Sequence, residues 1–387
     1  MTVSRQFGHG LRALWPLAAG TIYLNHGTVG VTPKPVLEAQ DGWRERMERH
    51  PARFMLRELK PALRTAADRA AALFGGRGDD YVFVENATTG VNAVLRSTEL
   101  GPGDEVLVTD HTYGAVRNAA AYACRRAGAT LVTAEMPFPI AGPEAALTAL
   151  EVALGPRTRL AILDHVTSDT ALLLPLQQMI AACHAAGARV LVDGAHAPGQ
   201  IDLDIPATGA DWYAANLHKW QFAPRGCGLL WAGPAAQENL HPAVISWRLD
   251  EGFTAEFDWT GTRDPTAYLS FPAAADFMAT LGATAVREHN HALVRQAAEL
   301  FAARFDGPLA PAAMSGAMAL APLPAKLAAT AEAAQALRDH LLDDHDIEVP
   351  VLAWSGRLWA RLSAQVYCEV SDFERLADAV AAWTQEE

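Results

Sequence analysis

The sequence predicts an α/β protein, with a mostly parallel sheet flanked by helices and a smaller α+β part toward the C-terminus. Three observations predict it. Short apolar, β-branched runs alternate with longer Ala/Leu-rich helical patterns through the first two thirds of the chain, the signature of βαβ units. Those runs are apolar throughout rather than at every second residue, as a sheet covered on both faces requires. The last third changes character, with one long helical pattern followed by further strands and a closing helix.

Taken in order, "DYVFVEN" reads as a strand followed by a helix from about Thr89, and "DEVLVTD" as a strand followed by a helix from about Tyr113. "TRLAILDHV" is a strand that leads into the helical "LPLQQMIAACHAAG" and then into the strand "ARVLVDGAH". "ADWYAAN" and "GCGLLWAG" follow as strands with little helix between them. Beyond them a helical pattern runs from about Tyr268 to Phe305 and breaks at "DGP". "SGAMALAP" reads as a strand, then come a helix, "DIEVPVLAW", "RLWARLSAQVY" and a final helix from about Ser371. The Pro- and Gly-punctuated "GTRDPTAYLS" marks a hinge. On this reading residues 21–262 form a large α/β domain, and residues 263–387, with 1–20 packing on them, a small α+β domain.

Composition narrows the function. The net charge is −13 and no window holds a dense Lys/Arg run, so neither nucleic acid nor an anionic membrane is an expected partner. Cys124, Cys183, Cys227 and Cys368 are far apart and form no Cys-x-x-Cys pair, which argues against a zinc ribbon or a disulfide framework and suits a reducing compartment. The apolar stretch near the N-terminus is short and interrupted by Pro16, unlike a signal segment. The Ala-rich stretch from Ala312 to Ala336 is interrupted by Pro322, Pro324 and Lys326, short of a spanning run. A cytoplasmic location is expected.

In an open α/β sheet, ligands bind beyond the carboxyl ends of the strands. Those ends carry Asn86 to Thr89, Asp110 to Tyr113, Asp164 to Ser168, Asp193 with His196, and Asn216 to Lys219. Small hydroxyls, an aromatic ring, carboxylates, imidazoles and one lysine suit a phosphorylated, aromatic, nitrogen-containing cofactor. Pyridoxal 5'-phosphate (PLP) asks a protein for a lysine amine, a carboxylate for its pyridinium nitrogen, donors for its phosphate and a flat group against its ring. Lys219, Asp193, Thr88 with Thr89, and Tyr113 fit those four needs. Singly each has a plainer explanation, since a lone lysine is nearly always a solvated charge and an aspartate after a strand is often a cap. Together, each at a strand end, they favour a site.

Other motifs are set aside. "HNH" at His289 to His291 lies in a helical pattern, where residues two apart do not share a face, and is expected to be solvated rather than metal-binding. "HLLDDHDIE", with Asp343, Asp344 and His345, reads as a polar helix end. "GPGDEV" lacks the spacing of a P-loop or dinucleotide fingerprint, and there is no Gly-x-Ser-x-Gly elbow.

The set "ENATTGVNAVL", "DHTYGAV", "HVTSDTALLLPL", "VDGAHAPG", "ADWYAANLHKWQFAPRGCGLLW" and "GTRDPTAYL" resembles class V aminotransferase-fold, PLP-dependent enzymes of fold type I. Within that group it is most similar to the isopenicillin N epimerase-like branch, through "VDGAHAPG" and "HKW-x-x-APRG". The resemblance runs from about Tyr23 to the C-terminus. It implies Lys219 as the lysine that forms the Schiff base and shuttles protons, Asp193 on the pyridine nitrogen, and His196 and Ser168 near the phenolic oxygen. It implies Thr88, Thr89, Asn216 and His218 around the phosphate, and Tyr113 stacked on the ring. Thr262 matches a position that reaches the partner subunit's phosphate in a homodimer. Arg361, with Asn25, matches the substrate-binding positions, the arginine gripping the α-carboxylate with its planar fork of donors.

Two departures stand out. Where the family often has Tyr-Asn after that arginine, this chain has Tyr367-Cys368. The family's cysteine desulfurases carry a nucleophilic cysteine ahead of the arginine, and no cysteine lies between Cys227 and Arg361, which argues against persulfide-forming desulfuration. The implied activity is labilisation of the α-carbon of an amino-acid-type substrate, ending in epimerisation. A carbon–sulfur β-lyase on a cysteine conjugate is the alternative, followed by aminotransferase or decarboxylating chemistry. A non-catalytic PLP-fold binding protein would be expected to have lost Lys219 or Asp193, and both are present.

Overall fold

The structure, a computed structural model, describes residues 7–386. Its strands are β1 (Ile22–Tyr23), β2 (Tyr81–Val84), β3 (Glu105–Thr109), β4 (Thr130–Ala134), β5 (Thr158–Asp164), β6 (Arg189–Gly194), β7 (Trp212–Asn216), β8 (Gly228–Ala232), β9 (Met318–Pro322), β10 (Ile347–Glu348), β11 (Val351–Trp354) and β12 (Arg357–Ser363).

Seven of them form one sheet in the order β2-β8-β7-β6-β5-β3-β4. β3 to β7 run parallel, and β8 runs antiparallel to both of its neighbours, β7 and β2. The parallel strands are linked by helices on the faces. The antiparallel step from β7 to β8 needs no crossover, which leaves residues 217–227 free to form a compact turn at the carboxyl end of the sheet.

The continuous apolar strands are explained by two cores, one on each face. Tyr81, Phe83, Leu107, Leu163, Val192, Tyr213 and Leu229 belong to one. Their strand neighbours Val82, Val84, Val106, Ile162, Leu191, Trp212 and Leu230 belong to the other. Successive side chains point to opposite faces, so a strand covered on both sides has no position for a polar residue until its end. That is why the chemistry collects there.

A three-stranded antiparallel sheet, β11-β12-β9, carries the C-terminal part. β1 pairs in parallel with β10, so residues just past the expected boundary at 21 are joined to the C-terminal region. Gly8 N–H donates to the Val366 carbonyl (2.8 Å) and Trp15 packs edge-on against Tyr367 and Phe277. Residues 1–6 and Glu387 of the expected small domain lie outside the described residues.

Several elements differ from expectation. The pattern from Tyr268 to Phe305 is three helices, Thr266–Leu269, Phe271–Leu281 and Ala283–Phe305, broken at Ser270 and Gly282. "DIEVPVLAW" divides into β10 and β11 at Pro350, which has no N–H for a ladder. His289 and His291 are not solvated: His289 packs on Phe7 (5.0 Å between rings) and His291 Nε2 donates to the Gln200 carbonyl (2.8 Å). Helices Lys34–Arg49 and Leu59–Phe74 precede β2 and were not among the expected elements, and β4 likewise. Among the described residues, no single helix is long and apolar enough to cross a membrane.

Candidate active site

The carboxyl ends of β2, β5, β6 and β7 converge on one cavity of about 440 Å³. Thr88, Thr89, Tyr113, Ser168, Asp193, His196, Asn216, His218 and Lys219 all line it, nine of the residues expected from sequence.

At one end stands the helix Ala87–Ser97. Its cap, Asn86, accepts the Thr89 N–H on its side-chain oxygen (2.9 Å), and Asn216 Oδ1 accepts the Ala87 N–H (2.8 Å). Thr88 N–H has no protein partner, so the first turn keeps a free donor and the positive end of the helix dipole. The start of β8 lies hard against this cap. A Cβ on Gly228 would come within 2.6 Å of Asn86 Cα, so only glycine lets the strand approach.

Asp193 ends β6, 3% exposed. Its Oδ1 accepts the Ala195 N–H (2.9 Å), and its other oxygen has no protein hydrogen bond. Burial pushes this carboxyl above its usual range, opposed by the Ala195 N–H and the Lys219 charge. Asp164, its partner on β5, is also buried, and its Oδ2 has no partner. Burial first and the Asp193 charge second push Asp164 well up.

Lys219 sits in the turn between β7 and β8. Its Nζ is 3.1 Å from His196 Nε2. Desolvation lowers its pKa to about 7, Arg361 lowering it further and Asp193 opposing. The turn is held from behind. His26 Nε2 donates to the Lys219 carbonyl (3.1 Å), and the Tyr367 hydroxyl donates to His26 Nδ1 (2.8 Å). Phe222, fully buried, takes a left-handed backbone (φ 64°), a conformation that costs on the order of 1–3 kcal/mol and persists only where packing imposes it. Gly30, at φ 65°, lies against the His218 carbonyl, where a Cβ would collide. His218 Nδ1 donates to the Cys227 carbonyl (3.1 Å), and burial lowers its pKa to about 4.

Arg361, on β12, is 5% exposed. It donates to the Ser168 carbonyl (2.8 Å) and to Thr28 Oγ1, while its Nε is buried without a partner. Thr28 in turn donates to Asn25 Oδ1. Asn25 thus stands behind Thr28, one bond removed from Arg361. Sequence reasoning missed Thr28, which lines the cavity; a single threonine in "NHGTVG" carries no signal. Thr262 does not line the cavity of its own chain. It is exposed, beside Arg263, which pairs with Glu85 (2.6 Å). Tyr367 and Cys368, the departure from the family pattern, are buried on His26 and on the Tyr23 carbonyl and do not line the cavity.

The donor set fits PLP. An amine, a buried carboxylate with one open oxygen, a helix N-terminus with an unpaired N–H and an aromatic ring surround one cavity. Among the described residues no cluster of His, Cys, Asp or Glu could hold a metal ion.

The class-V aminotransferase family profile matches residues 22–318. The chain belongs to that family of PLP-dependent enzymes. Isopenicillin N epimerase of Streptomyces clavuligerus is 34% identical, over 94% of this chain and 95% of its own length. Putative L-cysteine desulfhydrase 1 of Oryza sativa subsp. japonica is 32% identical, over 94% of this chain and 83% of its own length. The cystine C–S lyase C-DES, solved with its reaction product cysteine persulfide, superposes with a TM-score of 0.78 at 24% identity, covering 94% of this chain and 98% of that one. The fold is therefore type I of the PLP-dependent enzymes, as the family resemblance implied.

Proposed function

We propose that this member of the family labilises the α-proton of an amino-acid-type substrate and returns it to the carbon, as an epimerase of the isopenicillin N type. The observation that carries the reading is the convergence on one cavity of a desolvated amine, Lys219, and a buried carboxyl, Asp193, with a guanidinium, Arg361, outside its lining but bonded to two of its lining residues, Ser168 and Thr28, and keeping one unpaired donor, Nε. Bound there, PLP supplies an electron sink for charge that develops at the α-carbon. The chain's own groups do the rest.

Thr88, Thr89, Asn216 and His218 would hold the PLP phosphate. Asp193 would keep the ring nitrogen protonated, Tyr113 would cover the ring, and Ser168 and His196 would serve the phenolic oxygen. Arg361 grips the α-carboxylate, held in place by Ser168 and by Thr28 with Asn25. Lys219, the amine that lines the cavity, would take the α-proton. Two epimerases, 34% and 35% identical and matched over 94–95% of their own length, support the end point. A homodimer completes the site, with Thr262 reaching the partner subunit's phosphate.

A second reading, β-elimination from a cysteine-type substrate, is favoured by the desulfhydrases at 30–32% identity. It would proceed without a protein persulfide, since all four cysteines are buried. The protein loaded with PLP and offered amino acids in deuterated water separates the two. Deuterium at the α-carbon with mixed configuration supports epimerisation; a keto acid with ammonia and released thiol supports elimination. Absence of both exchange and keto acid with any amino-acid-type substrate, isopenicillin N included, overturns both.

A further inference from the structure

Trp220 follows Lys219 directly, yet it does not line the cavity: its indole is 1% exposed and packs in a small cluster with Val166, Ala317 and Met318. Its Nε1 lies 3.4 Å from His196 Nδ1, and the other nitrogen of the same ring, Nε2, lies 3.1 Å from Lys219 Nζ. The three groups form one chain in which every role is fixed by chemistry. An indole N–H can only donate, so His196 Nδ1 must carry its lone pair toward Trp220. A neutral imidazole holds one proton, which must then sit on Nε2. An Nε2–H facing the amine needs an acceptor, and only an unprotonated amine is one.

We propose that Trp220 is a positioning residue: its indole N–H sets the Nε2–H tautomer of His196, which in turn holds Lys219 as a free amine aimed into the cavity. The inference deepens the proposed function and rests on the reading of Lys219 as the cofactor-bearing lysine. A free amine is the form that attacks a carbonyl, and once the amine is engaged the same Nε2–H is left to donate to an oxygen on the ring.

The surroundings agree. His196 is 2% exposed, and burial first, with the Arg361 charge beside it, keeps it neutral. The groups facing Lys219 come from four places: Asp193 on β6, His196 just beyond it, Arg361 on β12 and His218 in the same turn. Asp193 alone favours the ammonium; desolvation and Arg361 oppose it. The indole itself packs on His26, whose ring lies 5.2 Å away, tilted by 49°, and whose Nε2 holds the Lys219 carbonyl. Backbone and side chain of Lys219 are thus both fixed by imidazoles of defined tautomer.

The test uses the apoprotein, so it does not depend on cofactor or substrate. Nitrogen-15 NMR of the histidine rings reads the tautomer of His196 in the wild-type chain, and competitive acetylation at graded pH, read by mass spectrometry, gives the titration of Lys219. The expected result is His196 protonated at Nε2 only, with Lys219 titrating at about 7. Trp220→Phe keeps a ring and removes the donor. In it both tautomers are expected, and the deprotonation constant of Lys219 is expected to fall by about 2- to 10-fold, the worth of one hydrogen bond. His196 protonated at Nδ1 in the wild-type chain overturns the proposal even if the variant does not fold. So does a folded Trp220→Phe chain in which neither tautomer nor titration moves. If the tautomer is as stated but the protein takes up no PLP, the proposed function fails and the tautomer assignment stands.

Discussion

Asp164 and Asp193 are register partners at the ends of β5 and β6, and both carboxyls are buried within the wall of one cavity. Burial pushes both above the usual carboxylate range, Asp193 adding to the shift of Asp164. Folding therefore retains protons that the unfolded chain gives up. The stability this contributes to the apoprotein is present at acid pH and lost as pH rises through the folded-state values. Asp164→Asn removes one of the two like charges. Its Tm as apoprotein is expected to exceed that of the parent at about pH 8, and the difference to shrink toward about pH 4, near the unfolded carboxylate value. A lower Tm at the higher pH would mean that Asp164 is ionised and paired in the fold.

Lys219 is the amine on which loading depends. Lys219→Ala is expected to leave the fold intact by circular dichroism, to lose the absorbance of covalently held PLP, and to lower turnover by at least ~10²- to 10⁴-fold, the usual weight of a positioned acid–base group. With a wild-type amine titrating at about 7, covalent capture of PLP should rise with pH through that value and level off above it. Capture that keeps rising toward pH 10, where a solvated lysine titrates, would contradict the desolvated site.

Arg361 offers a charged fork anchored on Ser168 and Thr28. Arg361→Ala is expected to raise KM for an amino-acid substrate by roughly 10- to 100-fold, the range for charge-assisted hydrogen bonds. Arg361→Lys should recover only part of it, because an ammonium cannot match a carboxylate with two parallel donors. Thr28→Val should move KM in the same direction by less. Substrate titrations of the three variants check the order.

Trp247 is 89% exposed and Leu56 77%, and with Met55 and Trp259 they border one groove of about 680 Å³. Val244 and Ile245 are exposed beside them. Such a patch is expected at an interface between subunits. Trp247→Glu should shift a dimer to a monomer in sedimentation velocity. Thr262→Ala should leave the proposed dimer intact and weaken PLP retention on dilution. Weakened retention only in the monomeric variant would remove Thr262 from the partner's site.

The polar strand ends were readable because a sheet buried on both faces excludes polar side chains everywhere else. Once Val190 to Val192 or Trp212 to Ala215 are read as buried strands, Asp193 and Asn216 are conspicuous. The same logic does not reach Thr28 or Asn25, which enter the site through a four-residue helix, His26–Val29, placed by contacts far away in the chain. Helices Lys34–Arg49 and Leu59–Phe74 went unread although Leu63, Ala66, Ala67, Ala70 and Phe74 form a regular stripe; "RHPARFMLRELKP" interrupts the period between the two. The histidines of "HNH" were misjudged for a related reason. Residues two apart do point to different sides of a helix, but here each side has a neighbour, Phe7 for one and the Gln200 backbone for the other.

β2 has one neighbour in its sheet, and that neighbour is β8. During synthesis the strand that leads to Thr88 and Thr89 leaves the ribosome with no edge to join until residues 228–232 have followed. β12, which carries Arg361, comes later still. The growing polypeptide therefore holds no complete pocket for a coenzyme until these later strands have emerged.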